Sequence, residues 1–237
     1  MAGILANKGG ATLVADVGCG IGKMTKWLSE NINGSVIGFD NDQKQLAKAN
    51  LDIDPSSRLN MKFEFLDILD DAQYCDKFDV VYCRFLLHHL SNPMQGLSNL
   101  IKMSKTGGKI VIGEPIMDGR WIHPSCDEYY EIYDLHLKNQ SNHVWDPNYG
   151  KRLLADIYSF ANIKVVDCEQ FRPILSTEEF KRHHVLVLDI FGAEFVKNGL
   201  ITAQRLSALK SKAIKIANDH RYVTDLFGVV LVCLEKI

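Results

Sequence analysis

The chain has 237 residues, a hydrophobic content of 46%, a charged content of 24% and a formal net charge of -2, ordinary figures for a globular protein. That length suits one domain with an elaboration. The nearly balanced charge gives no general attraction to nucleic acid or to an anionic membrane. No apolar stretch approaches the roughly 18 residues that a membrane helix needs.

The N-terminus, MAGILANKGGATLVA, lacks a basic region followed by a long apolar run and does not read as a signal peptide. The six cysteines, Cys19, Cys75, Cys83, Cys126, Cys168 and Cys233, form no C-x-x-C pair. Reduced thiols in the cytoplasm are therefore expected, with no disulfide framework and no metal site.

In chain order, Leu13, Val14, Ala15 and Val17 form a short apolar run that stops at Gly18-Cys19-Gly20-Ile21-Gly22. Met24, Trp27 and Leu28 then recur at helical spacing, so the stretch predicts a buried strand, a glycine turn and a helix. That helix is expected to stop near Asn33-Gly34. Ser35–Asp40 predicts a second strand ending in an acid, and Asn41 or Asp42 a cap for the next helix, which stops before Asp54-Pro55. Met61–Leu66 predicts a third strand ending at Asp67, and Phe78–Cys83 a fourth. Ser91-Asn92-Pro93 opens a helix, with proline in its tolerated first turn. Thr106-Gly107-Gly108 predicts a turn into a fifth strand, Lys109–Gly113, closed by Glu114-Pro115.

Beyond Pro115 the alternation changes. Asp127–Lys138 and Lys151–Phe160 read as helices, and Ile163–Val166 with Phe171 as a sixth strand. Thr177–Asp219 reads as two or three helices interrupted near Asn198-Gly199. Leu226–Leu234 is the last strand. The pattern predicts an α/β fold, Rossmann-like and doubly wound, with a mostly parallel sheet. The whole chain, 1–237, is expected to be one domain, with a ligand-binding core at 11–115 and helical, substrate-side segments at 116–150 and 176–220.

Spacing narrows the chemistry. A dinucleotide fingerprint, G-x-G-x-x-G, counted from Gly18 needs its third glycine where Lys23 stands, and the phosphate loop G-x-x-x-x-G-K-[ST] is absent. The chain instead carries G-x-G-x-G preceded by Asp16. Asp40, at the end of the second strand, stands where such folds set an acid against ribose hydroxyls. Asp67 suits an amino group of a base, and Asp16 a ligand ammonium, directly or through water.

The strings ADVGCGIG, VIGFDND, FEFLDI, FDVVYCRFLLHHL and TGGKIVIGEP, in this order, resemble the motifs of class I S-adenosylmethionine-dependent methyltransferases. The resemblance implies a seven-stranded sheet with an antiparallel last strand, and S-adenosylmethionine as cofactor with S-adenosylhomocysteine as product. It implies that Asp16, Gly18, Cys19, Gly20 and Gly22 line the methionine end and that Asp40 holds the ribose, with Asn41 beside the adenine. It further implies that Asp67 and Ile68 bind the adenine, and that Arg84 and Phe85 border the place where cofactor meets substrate. Lys105-Thr106-Gly107-Gly108 departs from the usual lysine-proline-glycine-glycine turn.

His88, His89 and Glu114 are the candidates for proton transfer or acceptor contact, although in the sequence Phe85–Leu90 at least one histidine is expected to pack or cap. Trp121, His123, Tyr129, Tyr133 and Trp145 suit either an aromatic pocket or the core, and His183-His184 stays unassigned. The resemblance implies in-line methyl transfer; the helical segments favour an enclosed pocket for a small-molecule acceptor, methylated at oxygen or nitrogen, and the balanced charge argues against nucleic acid, with no membrane partner expected. A protein methyltransferase, a non-catalytic cofactor-binding module and an unusual use of the same cofactor stay open.

Overall fold

In the computed structural model, which describes residues 12–52, 60–70, 74–140 and 144–237, the glycine-rich stretch forms a strand, a turn and a helix. The reading of residues 1–11 and the helix stop at Asp54-Pro55 lie outside the described residues. The elements are β1 (Thr12–Val17), α1 (Lys23–Asn31), β2 (Gly34–Asp40), α2 (Gln43–Leu51), β3 (Met61–Phe65), β4 (Phe78–Arg84), α3 (Pro93–Met103) and β5 (Ser104–Ile116). There follow β6 (Ile122–His123), α4 (Asp127–Gln140), α5 (Leu153–Ile157), β7 (Ile163–Phe171), β8 (Ile174–Leu175) and α6 (Glu178–Lys181). The chain closes with α7 (His183–Lys197), α8 (Ala203–Asn218), β9 (Val223–Asp225) and β10 (Gly228–Lys236).

Seven strands form one sheet in the order β3-β2-β1-β4-β5-β10-β7. β1 pairs in parallel with β2 and β4, β2 with β3, and β4 with β5, while one strand near the end runs antiparallel. This is the Rossmann-like, doubly wound arrangement that the alternation predicts. The chain steps outward from β1 to β3, then returns past β1 to β4, so the strand order reverses there. Such a reversal opens a crevice at the carboxyl ends of the strands. Register aligns those ends: Val17 sits beside Phe39 and Cys83, Asp40 beside Phe65, and Arg84 beside Gly113. Val14, Leu28, Val36, Val80, Tyr82, Val111 and Cys233 pack as one buried cluster of this sheet.

Two compact units are distinguished. The first comprises Met1–Pro115, Asn148–Gln170 and Val229–Ile237, and the second Ile116–Pro147 and Phe171–Gly228. The second unit has its own core, in which Tyr129, Ile132, Tyr133, Leu188, Phe195, Leu209 and Ile216 are buried. It also contains a three-stranded sheet, β6-β9-β8. The helical stretch after Thr177 is three helices, and the break at Asn198-Gly199 is a helix end closed by Gly199 at φ +70°.

Several local expectations need correction. Gly34 does not stop α1, which ends at Asn31; it begins β2, where an added methyl would run into the Thr12 backbone. Gly107-Gly108 do not precede β5 but lie inside it. The register jumps from Ser104 opposite Phe78 to Lys109 opposite Val80, so the glycines are absorbed as a bulge. Glu114 and Pro115 fall within the same strand, which runs on to Ile116. The helix at Lys151–Phe160 shrinks to α5 after a short 3-10 turn at Tyr149–Lys151, and the last apolar run, Leu226–Leu234, becomes strand only from Gly228, in β10, which continues to Lys236.

Candidate active site

The glycine turn is held by acceptors at the end of β2. Gly18 N–H and Cys19 N–H both donate to the Phe39 carbonyl, at 2.8 and 2.9 Å. Gly20 N–H donates to Asp40 Oδ2 at 2.8 Å. The other carboxylate oxygen of Asp40 accepts from Asp42 N–H at 2.9 Å, and Asp42 in turn caps α2 through Lys44 N–H and Gln45 N–H. Asp40 thus fixes the spacing between two loops while using two of about four acceptor positions.

The three turn glycines have left-handed φ values of +76°, +56° and +76°, which carry no Cβ penalty in glycine. Their surroundings differ. A methyl at Gly22 would collide with the Phe63 ring, and one at Gly18 would lie 3.2 Å from Leu86. At Gly20 no atom stands within 4 Å of such a methyl. Gly22 and Gly18 therefore serve packing, and Gly20 leaves bare backbone facing open space.

Asp16 is 2% exposed and accepts a 2.5 Å hydrogen bond from Thr25 Oγ1 of α1. Burial raises its pKa from 3.8 to about 6, against the lowering effect of the Thr25 bond and of the nearby Arg84 charge. Ionised at neutral pH, it is an incompletely compensated carboxylate. Cys19 is buried, and burial pushes its thiol pKa up, so it contributes backbone rather than a nucleophile.

At the end of β3, Asp67 Oδ1 accepts from Leu69 N–H at 2.9 Å and Oδ2 from Asn41 Nδ2 at 3.2 Å. Asn99 of α3 donates to the carbonyls of Ile68 and Asp70, at 2.7 and 2.6 Å. The loop is pinned from behind and Asp67 keeps acceptor capacity. The sequence reading missed both Asn99 and Thr25. A buried asparagine on the apolar face of α3 was a signal for the first; nothing in the spacing marked the second.

The end of β4 is built around one acid. Arg84 is exposed, its guanidinium carbon 5.2 Å from the Phe85 ring centroid. Phe85 has φ +57°, a sparsely populated conformation for a bulky residue. The 3-10 turn Leu87–His89 follows. Glu114, 0% exposed, accepts from Leu86 N–H at 3.1 Å, Leu87 N–H at 2.9 Å and His88 N–H at 3.3 Å. Its Oε2 also lies 2.7 Å from His88 Nδ1. With three backbone donors already on the carboxylate, the fitting tautomer places the proton on Nδ1.

Glu114 is therefore not an acid poised at a strand end. It is a buried anchor whose acceptor positions are filled, and His88, 4% exposed, is held behind it. His89 is exposed, its ring centroid 3.9 Å from that of His88. Desolvation, with His88 beside it, lowers the His89 pKa and leaves it neutral at physiological pH. In the second unit Tyr129 and Tyr133 pack with His184, which places them in the core.

Among the described residues, no cluster of His, Cys, Asp and Glu could hold a metal ion, and no helix is long and apolar enough to cross a membrane. What the strand ends offer is acceptors for hydroxyl and amino groups at Asp40 and Asp67, an anionic group at Asp16 and exposed backbone at Gly20. A nucleoside carrying a cation fits that donor and acceptor set.

Residues 14–108 match the methyltransferase domain family. Among curated proteins, the chain is 33% identical over 100 residues to the tRNA U34 carboxymethyltransferase of Campylobacter fetus subsp. fetus (strain 82-40), covering 42% of this chain and 35% of that one. It is 29% identical over 125 residues to phosphoethanolamine N-methyltransferase 3 of Arabidopsis thaliana, covering 52% of this chain and 25% of that one. The matches span between 25% and 43% of the length of such relatives. Two solved structures share the fold. The [4+2]-cyclase SpnF has a TM-score of 0.63 and 16% identity, over 99% of this chain and 79% of that one. Haemonchus contortus phosphoethanolamine N-methyltransferase 2, in complex with S-adenosyl-L-methionine, has a TM-score of 0.58 and 17% identity, over 98% and 50%. Residues 14–108 are thus a methyltransferase domain, and the sheet order and these matches support a class I S-adenosylmethionine-dependent methyltransferase of unspecified subfamily.

Proposed function

We propose that the protein transfers a methyl group from S-adenosylmethionine to an oxygen or nitrogen of a small molecule, by in-line displacement. The observation that carries this reading is the Asp40 carboxylate tied to Gly20 N–H at 2.8 Å, beside backbone that faces open space. When bound, the cofactor supplies a methyl group made electrophilic by its sulfonium.

In this reading the spare acceptor positions of Asp40 take the ribose hydroxyls, with Asn41 beside the adenine. Asp67 takes the amino group of the base, and Ile68 meets the ring through its backbone amide. Asp16, Gly18, Cys19, Gly20 and Gly22 line the methionine end, where the incompletely compensated charge of Asp16 favours an ammonium. Arg84 and Phe85 border the acceptor, held by the turn that Glu114 and His88 anchor. His89, neutral and exposed, is the group able to accept a proton from a hydroxyl acceptor. The remaining requirements are alignment and exclusion of water. The near-neutral charge favours a small acceptor over nucleic acid.

Incubation with methyl-labelled cofactor and three fractions, metabolites, proteins and tRNA, tests the acceptor class. Label in the metabolite fraction is expected. Label confined to protein or tRNA would overturn the small-molecule assignment, and absence of cofactor binding by calorimetry would overturn the methyl-donor site itself.

A further inference from the structure

The second unit contains a cavity of about 250 Å³ whose lining includes Arg120, His136, Tyr133, Tyr130, Met117 and Leu137. Two of its polar atoms are unusual. Arg120 Nη1 and His136 Nδ1 are both buried without a hydrogen-bond partner. Native structures leave few such atoms, and each calls for an explanation.

The local interactions do not supply one. Arg120 Nε donates to the Met117 carbonyl at 3.1 Å, and the guanidinium carbon lies 3.5 Å from the Tyr133 ring centroid. Stacking of this kind, together with a polar contact from the guanidinium to the Tyr133 hydroxyl, offsets part of the charge, yet leaves Nη1 without a partner. No carboxylate among the described residues closes an ion pair with Arg120. Asp118 and Asp134 also border the cavity, but both are exposed and therefore more screened than the buried edge. His136 packs its ring against Trp145 and Phe191, at centroid distances of 5.5 and 4.7 Å, and burial followed by Arg120 lowers its pKa to about 4. It is neutral and adds no repulsive charge to the site. With Nδ1 protonated it is a second donor.

A fixed cation with Nη1 unpaired, a neutral donor and an aromatic and aliphatic wall define the complement of one molecule type. We propose that this cavity binds a small molecule carrying a single oxyanion on an aromatic or aliphatic frame, the oxyanion meeting Arg120 Nη1 and His136 Nδ1. The volume, about 250 Å³, lies just below the usual range for drug-sized ligands, which favours a one-ring acid over a nucleotide. Carboxylate and phosphate share the required chemistry. The proposal does not depend on methyl transfer, since binding is read without the cofactor.

The test is calorimetry on the full chain with phenylacetate, phenyl phosphate and the neutral isostere phenylacetamide. At least one acid is expected to bind with a dissociation constant of about 1 mM or tighter, and the amide about tenfold more weakly. The tighter acid identifies the headgroup class. Arg120→Gln is expected to reduce acid affinity by about tenfold or more, down to that of the amide. Should that variant not fold, the acid-to-amide ratio on the unmodified protein decides alone. Equal affinity for acid and amide, no heat from either acid at about 10 mM, or unchanged acid binding in a folded Arg120→Gln protein would overturn the proposal.

Discussion

Two charged side chains, one in each unit, show how differently a protein can satisfy the buried atoms of a charged group. Glu114 in the sheet unit receives three backbone N–H groups and the His88 ring. Arg120 in the helical unit leaves Nη1 without any acceptor. The first is closed architecture that holds the turn after β4. The second has a donor position still to be filled. Removal of one partner from a buried, hydrogen-bonded charge leaves the others exposed to the full desolvation penalty. Arg120 has a single backbone dependant, the Met117 carbonyl, so its replacement by an apolar group of similar length costs less.

The sharpest way to break this comparison is Glu114→Ala. It strands the N–H groups of Leu86, Leu87 and His88 together with the imidazole, and should cost about 3–5 kcal/mol of stability. Urea unfolding measures it; a loss under about 1 kcal/mol would mean that the turn does not depend on the acid. Asp40 is an intermediate case, half committed to the fold. Asp40→Ala should weaken S-adenosylmethionine binding by about 1.5–3 kcal/mol in a calorimetric titration, and unchanged affinity would remove the ribose assignment.

Asp16 sharpens the contrast through pH. Its folded-state pKa is raised, to about 6 from 3.8, so the native state holds a proton that the unfolded chain has released. The associated stability is full below the ordinary carboxylate range and is lost as pH rises through about 6. Asp16→Asn has no such loss. The variant should gain about 2–3 kcal/mol over the parent between pH 4 and pH 7, seen as a diverging pair of denaturation midpoints, while binding the cofactor more weakly. Parallel midpoints across that range would contradict the buried, ionising carboxylate. The smallest effect is expected at Arg120→Met, where stability should stay within about 1 kcal/mol of the parent by urea unfolding. A loss as large as that of Glu114→Ala would mean that Arg120 is architecture too.

The strand ends of the first unit were legible because strand periodicity and acid position coincide there. Val17, Asp40 and Arg84 end their strands at or next to the residues that the pattern marks. The roles of the side chains were less legible. Glu114 reads as a strand-end acid because the apolar run stops at Gly113, but β5 continues through Pro115 to Ile116 and turns its carboxylate onto the backbone after β4. The parallel pairing of β4 with β5, which sets Arg84 beside Gly113, brings those segments together, and no spacing encodes that distance. The glycines of β5 read as a turn because bulge and turn glycines look alike in one dimension. In the second unit, two-residue strands such as β6 and β8 are too short to show a period, and Arg120 stands between stretches without a motif. Its isolation depends on which acids fold elsewhere.

The central claim is that the carboxyl ends of β1, β2 and β3 form a methyl-donor site. Titration of the full chain with S-adenosylhomocysteine, followed by calorimetry, tests it without knowledge of the acceptor. One binding site per chain is predicted, with heat abolished or strongly reduced in folded Asp40→Ala protein. No binding to the parent chain, or equal binding to the variant, would contradict it.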